Sequence, residues 1–343
     1  MSAAIGEALG VLGAGQGLTE SQTRLAVDAI MAGEASDALV GAFLAALRVK
    51  GESAEELAGA VGAVLDRMTR LEGFDGLPPS LDTCGTGGDG AHTINISTAS
   101  ALVVASCGVP VAKHGNRSAS GNSGSAEVLT VLGVDIEADP AILRRCLNEL
   151  GITFFYAPRF HPALRFAGPV RRQLPFRTLF NMIGPLANPS RPAYQLIGVP
   201  DPRQADLMAQ ATARLGVVRA AVVTGHGGLD EVSLDGPTRV CWVESGQVEV
   251  RVWMPNEFGL SLVRPEDLRV SGPIESARRL KALFGGEPGP DRAIVLANAA
   301  SALLVAGRVE SLGEGVALAS QAIDQGGAMN LLDRWVAMSR NPA

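Results

Sequence analysis

The chain has little cysteine. Cys84, Cys107, Cys146 and Cys241 lie far apart, and none forms a C-x-x-C pair. That excludes a cysteine-held zinc site and reads as reduced thiols of a cytoplasmic protein. No apolar run reaches membrane-spanning length, and no basic leader precedes an apolar segment at the start. Neither a membrane protein nor an exported one is expected. Positive charge is not in excess. The net charge is −6, which argues against nucleic acid as the main partner. Repeats and low-complexity tracts are missing too. What is there is 343 residues, 47% of them hydrophobic, enough for two domains or for one large α/β domain with an additional lobe.

Two common phosphate signatures are also missing. From Asp82 to Thr98 the chain places Gly85, Gly87, Gly88 and Gly90 almost back to back. No Gly-Lys-Ser/Thr follows, so this is not a Walker loop. The third glycine of a dinucleotide fingerprint is not at its offset either. The cluster still has to be a loop, because a helix would lose too much backbone entropy there. It runs into Asn95, Ser97 and Thr98, which are N-cap types, and then into an apolar stretch of helix length. A glycine loop feeding a helix N-terminus is an anion site. Alone it weighs evenly against a ligand-free turn. Asp89 tilts the balance, because a carboxylate beside a phosphate cradle is repulsive unless a cation or a ribose hydroxyl takes it up.

Residues 1 to about 74 read as helices only. Thr19-Glu-Ser-Gln22 and Ser53-Ala-Glu-Glu56 are capping boxes, Gly33 ends the first of these helices, and the second runs to about Arg70. Between them Asp37 to Arg48 is apolar on nearly every face, which points to burial all round and a subunit interface. Gly73, Gly76, Pro78 and Pro79 read as a hinge. Strands and helices then alternate. Val109–Lys113, Ile152–Tyr156, Gln195–Val199 and Ala220–Thr224 are strands. Ser123–Leu132, Pro140–Glu149 and Arg203–Leu215 are helices. This order implies a largely parallel sheet. His161 to Met182 reads as helical with proline punctuation. Thr238–Val243 and Gln247–Val252 form a hairpin at Ser245-Gly246, and helices close the chain.

Three loops after strands carry the chemistry. Lys113-His-Gly-Asn-Arg117, continuing to Ser125, is rich in hydroxyls and glycine, and Lys113 is a point charge suited to phosphate. Asp230-Glu231 offers hard oxygens suited to Mg²⁺ shared with substrate phosphates. Either loop could be a solvated turn by itself. Phosphate with magnesium explains both together with the glycine loop. Among Arg159, His161, Arg165, Arg171, Arg172 and Arg177 most are surface charges, and one or two could hold a planar carboxylate.

Taken together the motifs resemble the anthranilate phosphoribosyltransferase family, of the nucleoside-phosphorylase-like class. The matching stretches are Gly85–Asp89, Asn95–Thr98, Lys113–Arg117, Gly124–Glu127, His161–Leu164, Pro169–Arg172, Arg177–Asn181, Gly184–Leu186 and Gly228–Glu231, and the similarity runs to Asn298–Ala300. The resemblance implies an α/β fold: a small all-helical lobe plus a large α/β lobe with a mostly parallel central sheet. Residues 1–74, joined by 162–188, would form the helical lobe, and 75–161 with 189–343 the α/β lobe. It implies transfer of the phosphoribosyl group of phosphoribosyl diphosphate to the amine of anthranilate, releasing diphosphate, in tryptophan biosynthesis.

By the same resemblance Gly85, Thr86, Gly87, Gly88, Asp89, Thr93, Asn95, Ser97, Thr98, Lys113 and Ser125 hold phosphoribosyl diphosphate. Ser97, Asp230 and Glu231 hold magnesium, as two ions. Gly85, Asn116, Arg171, His114 and His161 line the path of anthranilate. A homodimer through the helical lobe is implied. No certain catalytic residue is expected, only electrostatic stabilisation by Lys113 and magnesium. That is physically sufficient, because the aromatic amine is already neutral at pH 7 and the difficult event is departure of the diphosphate. This chain departs from the family at Glu127, usually Asp, and near Pro175-Phe176, usually Gly. Two rival readings are a pyrimidine nucleoside phosphorylase of the same fold and a non-catalytic nucleic-acid-binding relative. The Asp230-Glu231 loop argues against both, His114–Arg117 against the first, and the net charge against the second.

Overall fold

The structure, a computed structural model, describes residues 3–69, 71, 74, 77–118 and 123–341. Helices come first: α1 (Ala3–Gly13), α2 (Glu20–Met31), α3 (Asp37–Lys50) and α4 (Ala54–Asp66). Both capping boxes form. The Thr19 hydroxyl accepts from Gln22 N–H at 3.2 Å and the Ser53 hydroxyl from Glu56 N–H at 3.1 Å. Glu56 is fully buried and does more than cap. Its carboxylate also accepts from the Leu18 N–H at 2.9 Å and pairs with Lys50 at 3.0 Å. Helix α4 stops at Asp66, short of the expected end. Arg70, the expected helix end, and Gly73 and Gly76 of the expected hinge lie outside the described residues.

Helix α3 differs from expectation. Only Val40, Phe43, Leu44 and Leu47 are buried, one stripe at i, i+3, i+4, i+7, while Val49 is 88% exposed. A single chain therefore covers one face of α3 and leaves the other apolar face open.

The sheet has strands β1 (Leu81–Asp82), β2 (Val111–Gly115), β3 (Ile152–Tyr156), β4 (Tyr194–Gly198), β5 (Arg219–Thr224), β6 (Thr238–Glu244) and β7 (Gln247–Trp253) in the order 3-2-1-4-5-6-7. The first five pair in parallel, while β5–β6 and β6–β7 are antiparallel. The β6–β7 turn uses Ser245 and Gly246, both at positive φ, as a tight hairpin requires. Strand β2 starts later than expected because Pro110 has no N–H for the ladder; its carbonyl instead accepts from Leu81 N–H at 2.8 Å. Lys113 and His114 therefore lie within a strand and not in the loop after it.

Further helices are α5 (Ile96–Ser106), α6 (Ser125–Leu132), α7 (Pro140–Leu150), α8 (Ala157–Phe160), α9 (Gly168–Gln173), α10 (Phe180–Leu186), α11 (Pro202–Arg214), α12 (Pro273–Phe284), α13 (Pro290–Val305), α14 (Leu312–Asp324) and α15 (Gly327–Ser339). The region after His161 is broken more than expected. A 3₁₀ turn, α9, an extended stretch and α10 follow one another, with Pro162 and Pro169 opening the first two.

Two large cores sit on the two faces of the sheet, and a smaller cluster around Phe155 and Phe160 packs on β2 and β3. Leu196, Ala221 and Val223 pack with α5, α13 and α15; Ile197, Val199, Ala220 and Val222 pack with α11 and the N-terminal helices. Neighbouring residues on a strand go to opposite cores, as the period of two dictates. Segment 162–188 packs onto the N-terminal helices, α9 against α3 and α10 against α4.

The sheet order reverses between β1 and β4, and there the backbones touch. A Cβ on Gly85 would lie 2.8 Å from the Gly198 carbonyl oxygen, and one on Gly198 would fall on the Asp230 carbonyl. Gly198→Ala is therefore expected to destabilise the chain by roughly 1–3 kcal/mol or more, as overpacking does. Gly10→Ala, in α1 with open space around it, should be neutral or slightly stabilising. Urea midpoints of the two variants check this; equal midpoints would show that the Asp230 loop yields freely.

Candidate active site

A cavity of about 700 Å³ opens at the carboxyl ends of the parallel strands, at the reversal point where such sheets place ligands. The glycine loop from Gly85 to Asp89, with Thr93, Asn95 and Ser97, forms part of its wall. Lys113, His114, Asn116 and Ser125 come from β2 and the loop after it. His161 and Arg171 come from the helical segment, and Asp230 with Glu231 from the loop after β5. Thr98 is the exception among the expected residues. It is buried one turn into α5, off the wall, with its hydroxyl unpartnered.

The cation is Lys113. It is 2% exposed, and its Nζ donates to Thr83 O at 3.3 Å, Thr83 Oγ1 at 3.2 Å and Ser97 Oγ at 3.3 Å. No carboxylate forms an ion pair with it among the described residues. Beneath it Asp82 is fully buried, accepting from His114 N–H at 3.1 Å and from the Asn188 amide at 2.8 Å. Burial pushes the Asp82 carboxyl up to about 6, with the Lys113 charge pulling it back.

Opposite the glycine loop the acids converge. Burial, then the charges of Asp89 and Glu231, hold Asp230 well above the usual carboxylate range. Burial also raises Glu231, against the pull of Lys113. Acids in this state favour a cation. Asp230, Glu231 and the Ser97 hydroxyl are hard oxygen donors, which fits Mg²⁺. No cluster of three or more His, Cys, Asp or Glu side chains with metal-site spacing exists among the described residues. A partial set of this kind suits an ion that completes its shell with phosphate oxygens and water.

Glu231 has a second task. Its carboxylate accepts from the Ser97 N–H at 3.1 Å, so it caps α5. Asn95 holds the N-cap position but does not cap with its side chain. It accepts instead from the hydroxyls of Ser123 at 2.7 Å and Ser276 at 2.8 Å, bracing the loop against α12.

Successive residues of β2 point to opposite sides, so His114 faces the helical segment. Its Nδ1 lies 2.9 Å from the Gly184 carbonyl. A carbonyl only accepts, so Nδ1 carries the proton and Nε2 keeps a lone pair, buried without a partner. His161 packs edge-on at 5.3 Å, with no well-formed hydrogen bond to either ring nitrogen, although the backbones of Ala187 and Val64 lie close enough to favour its proton. Burial, then the His161 ring, push His114 down to about 3, and burial pushes His161 down to about 4. Both imidazoles are neutral at physiological pH. Arg171, on α9, stacks over the Phe180 ring at 5.5 Å and has no carboxylate partner among the described residues. One wall of the cavity thus offers a free guanidinium, an aromatic ring and neutral acceptors.

Several contributors escaped the reading of the sequence. Thr83, Asp82 and Asn188 seat the lysine and its strand. Arg177 appeared as one of several basic residues and at the head of a matching stretch, with no role given, yet it donates to Gly87 O at 3.0 Å and Thr86 O at 3.3 Å. Glu127 accepts from the N–H groups of Gly124 at 3.0 Å and Ser118 at 3.2 Å, which ties the loop after β2 to the start of α6.

Comparison with known proteins gives a consistent picture. The helical bundle domain of a glycosyl transferase family matches residues 7–68, and the a/b domain of a glycosyl transferase family matches residues 77–329. The anthranilate phosphoribosyltransferase of Thermomicrobium roseum is 48% identical over 338 residues, covering 98% of this chain and 97% of that one. The crystal structure of anthranilate phosphoribosyltransferase from Thermus thermophilus superposes with a TM-score of 0.91 at 40% identity, covering 98% of this chain and 99% of that one. The anthranilate phosphoribosyltransferase from Saccharomyces cerevisiae in complex with PRPP and Mg superposes with a TM-score of 0.90 at 28% identity, covering 99% and 98%.

The histidine pair makes a prediction about acid. A histidine held neutral in the fold gives stability that is present above its unfolded pKa of 6.5 and lost as pH falls toward the folded value. The buried acids titrate in the opposite sense, so the test is a difference between variants. Between pH 7 and pH 5, His161→Gln should gain on the wild type by roughly 2 kcal/mol, at about 1.4 kcal/mol per pH unit below 6.5. Urea unfolding at the two pH values measures it. A constant difference would mean that His161 takes up its proton in the folded chain.

Proposed function

We infer the function from one premise: the chain belongs to the anthranilate phosphoribosyltransferase family. Its reaction is transfer of the phosphoribosyl group of 5-phosphoribosyl 1-diphosphate to the amine of anthranilate, with release of diphosphate, a step of tryptophan biosynthesis. The observation that carries the assignment to this cavity is its division. A buried lysine, a glycine loop and clustered acids occupy one part, and an unpaired guanidinium over an aromatic ring the other.

The diphosphate is assigned to the loop Gly85–Asp89, Asn95, Ser97 and Lys113, with Thr93 and Ser125 beside them. Asp230, Glu231 and the Ser97 hydroxyl would hold magnesium, which when bound neutralises charge on the leaving diphosphate. The Lys113 ammonium is aimed by Thr83 and Ser97, so it meets the growing negative charge without reorganising. Anthranilate is assigned to Arg171, His114, His161 and Asn116, with Gly85 at the boundary. Arg171 takes the carboxylate bidentately, and the bare Nε2 of His114 is an acceptor for an amine N–H. No strong base is needed, because the amine nitrogen already has its lone pair free. Residues 1–74 with 162–188 make the acceptor lobe, and 75–161 with 189–343 the diphosphate lobe. We assign the open apolar face of α3, where Val49 is 88% exposed, to a homodimer contact. No helix among the described residues is long and apolar enough to cross a membrane, in keeping with a cytoplasmic enzyme.

The direct test follows the loss of anthranilate fluorescence with phosphoribosyl diphosphate and Mg²⁺; a wild-type chain that leaves the signal unchanged sinks the reading. Asp230→Asn with Glu231→Gln should abolish turnover while the urea midpoint at pH 8 stays level or rises, because the change relieves buried like charges. Retained activity would remove the metal assignment. Arg171→Ala should raise the KM for anthranilate by roughly tenfold to a hundredfold, from a lost charge-assisted pair of about 1.5–3 kcal/mol. Arg171→Lys should recover only part of this, and the KM for phosphoribosyl diphosphate should barely move. Saturation curves for both substrates decide it, and the opposite pattern would assign Arg171 to the phosphate side.

A further inference from the structure

We propose that Arg177 is the positioning residue that sets the glycine loop as an anion cradle, by holding its carbonyls so that its N–H groups stay free for the diphosphate. The inference rests on the reading of the cavity given above and adds a part to it.

In a trans peptide the carbonyl and the following N–H point in opposite directions, and no cis bond occurs among the described residues. Arg177 binds the carbonyls of Thr86 and Gly87 with its two terminal nitrogens. The N–H groups of Gly87 and Gly88 are thereby turned away from the guanidinium. Neither of them donates to any group of the protein among the described residues, whereas the loop's flanks are spent. Thr86 N–H donates to Gly198 O at 2.9 Å, and Ala91 N–H to the Asp89 carboxylate at 3.0 Å. Two consecutive free N–H groups at residues of positive φ, +66° at Gly87 and +85° at Gly88, form the kind of concavity that takes an anion oxygen.

The fit between loop and arginine is tight. A Cβ on Gly88 would collide with Arg177 Nη1. The glycine is needed there for the arginine's sake as well as for its own backbone angle. A flexible ammonium could satisfy one carbonyl, but only the planar fork spans two adjacent ones. Arg177 also stands near Asp230, where its charge opposes the crowding of acids. It comes from the stretch between α9 and α10, so the chain segment that carries Arg171 also anchors the diphosphate loop.

A merely structural tie would weaken both substrates or neither. A positioning role weakens one. The test uses the full chain and its Arg177→Gln and Arg177→Lys variants, with titration calorimetry of inorganic diphosphate in the presence of Mg²⁺ and separate KM values for both substrates. In Arg177→Gln, the Kd for magnesium diphosphate and the KM for phosphoribosyl diphosphate should each rise roughly tenfold or more. The KM for anthranilate should stay within about twofold, and Arg177→Lys should lie between, since it retains one of the two bonds. Gly88→Ala should act in the same direction, and combined with Arg177→Gln it should cost less than the sum of the two, because the collision with the arginine is gone and only the strained φ remains. If Arg177→Gln does not fold, Arg177→Lys carries the comparison. Diphosphate binding at the wild-type level in a folded Arg177→Gln chain overturns the proposal and leaves the function standing. So does a loss confined to anthranilate. A wild-type chain that binds neither diphosphate nor phosphoribosyl diphosphate overturns the reading and the proposal together.

Discussion

Three strand ends meet at the centre of this molecule with no side chain between them. Gly85 rests on Gly198, and Gly198 on the carbonyl of Asp230. Thr86 N–H closes the contact on Gly198 O at 2.9 Å. Everything that acts in the cavity depends on this approach. It brings the loop after β1 beside the loop after β5, so that acids distant in sequence face a glycine cradle. It also lets Glu231 reach the first turn of α5 and cap it at Ser97. A methyl group at either glycine would separate the two loops and dissolve the arrangement.

The cavity is built from groups that do not satisfy one another. Of the 29 lysines and arginines only Lys50, Lys113 and Lys281 are lysines, and one of these few is the buried cation of the site. An arginine fork there would close on a carboxylate and fill the place of a ligand; an ammonium held by Thr83 and Ser97 leaves the acids to find another cation. Asp230 and Glu231 stay crowded and raised, and the histidines stay neutral, with Nε2 of His114 unpartnered. Such a site costs stability, and the two cores that grip the sheet from both faces offset it.

Much of this was legible from residue order. Capping boxes at Thr19 and Ser53, the Ser245-Gly246 hairpin, the alternation of strands and helices, and the glycine, lysine and acid loops all announce themselves through local chemistry. What stayed hidden depends on partners far along the chain. Asn95 looks like a cap, but Glu231 takes that task from across the sheet. Arg177 looks like one more surface arginine until the loop carbonyls it holds come into view. Strand β1 is two residues long and carries no periodicity to find. Pro110 was visible, yet its effect on where β2 begins follows only from its pairing with Leu81. The apolar run of α3 overstated burial because composition does not say which face has a neighbour within the chain.

The alternation along β2 has a last consequence. Lys113 and His114 are adjacent, so in the proposed division of the cavity the cation of the diphosphate side and the acceptor of the anthranilate side are separated by a single peptide. The ladder with β3 runs unbroken from Val111 opposite Ile152 to Gly115 opposite Tyr156. A slip of one residue in that ladder would exchange the two side chains, turning a neutral ring toward the acids and a charge toward the aromatic wall. Strand register therefore decides which side of the cavity each group serves, and the same slip would exchange Val111 and Ala112 between the cores on the two faces, so core packing guards the placement of the site.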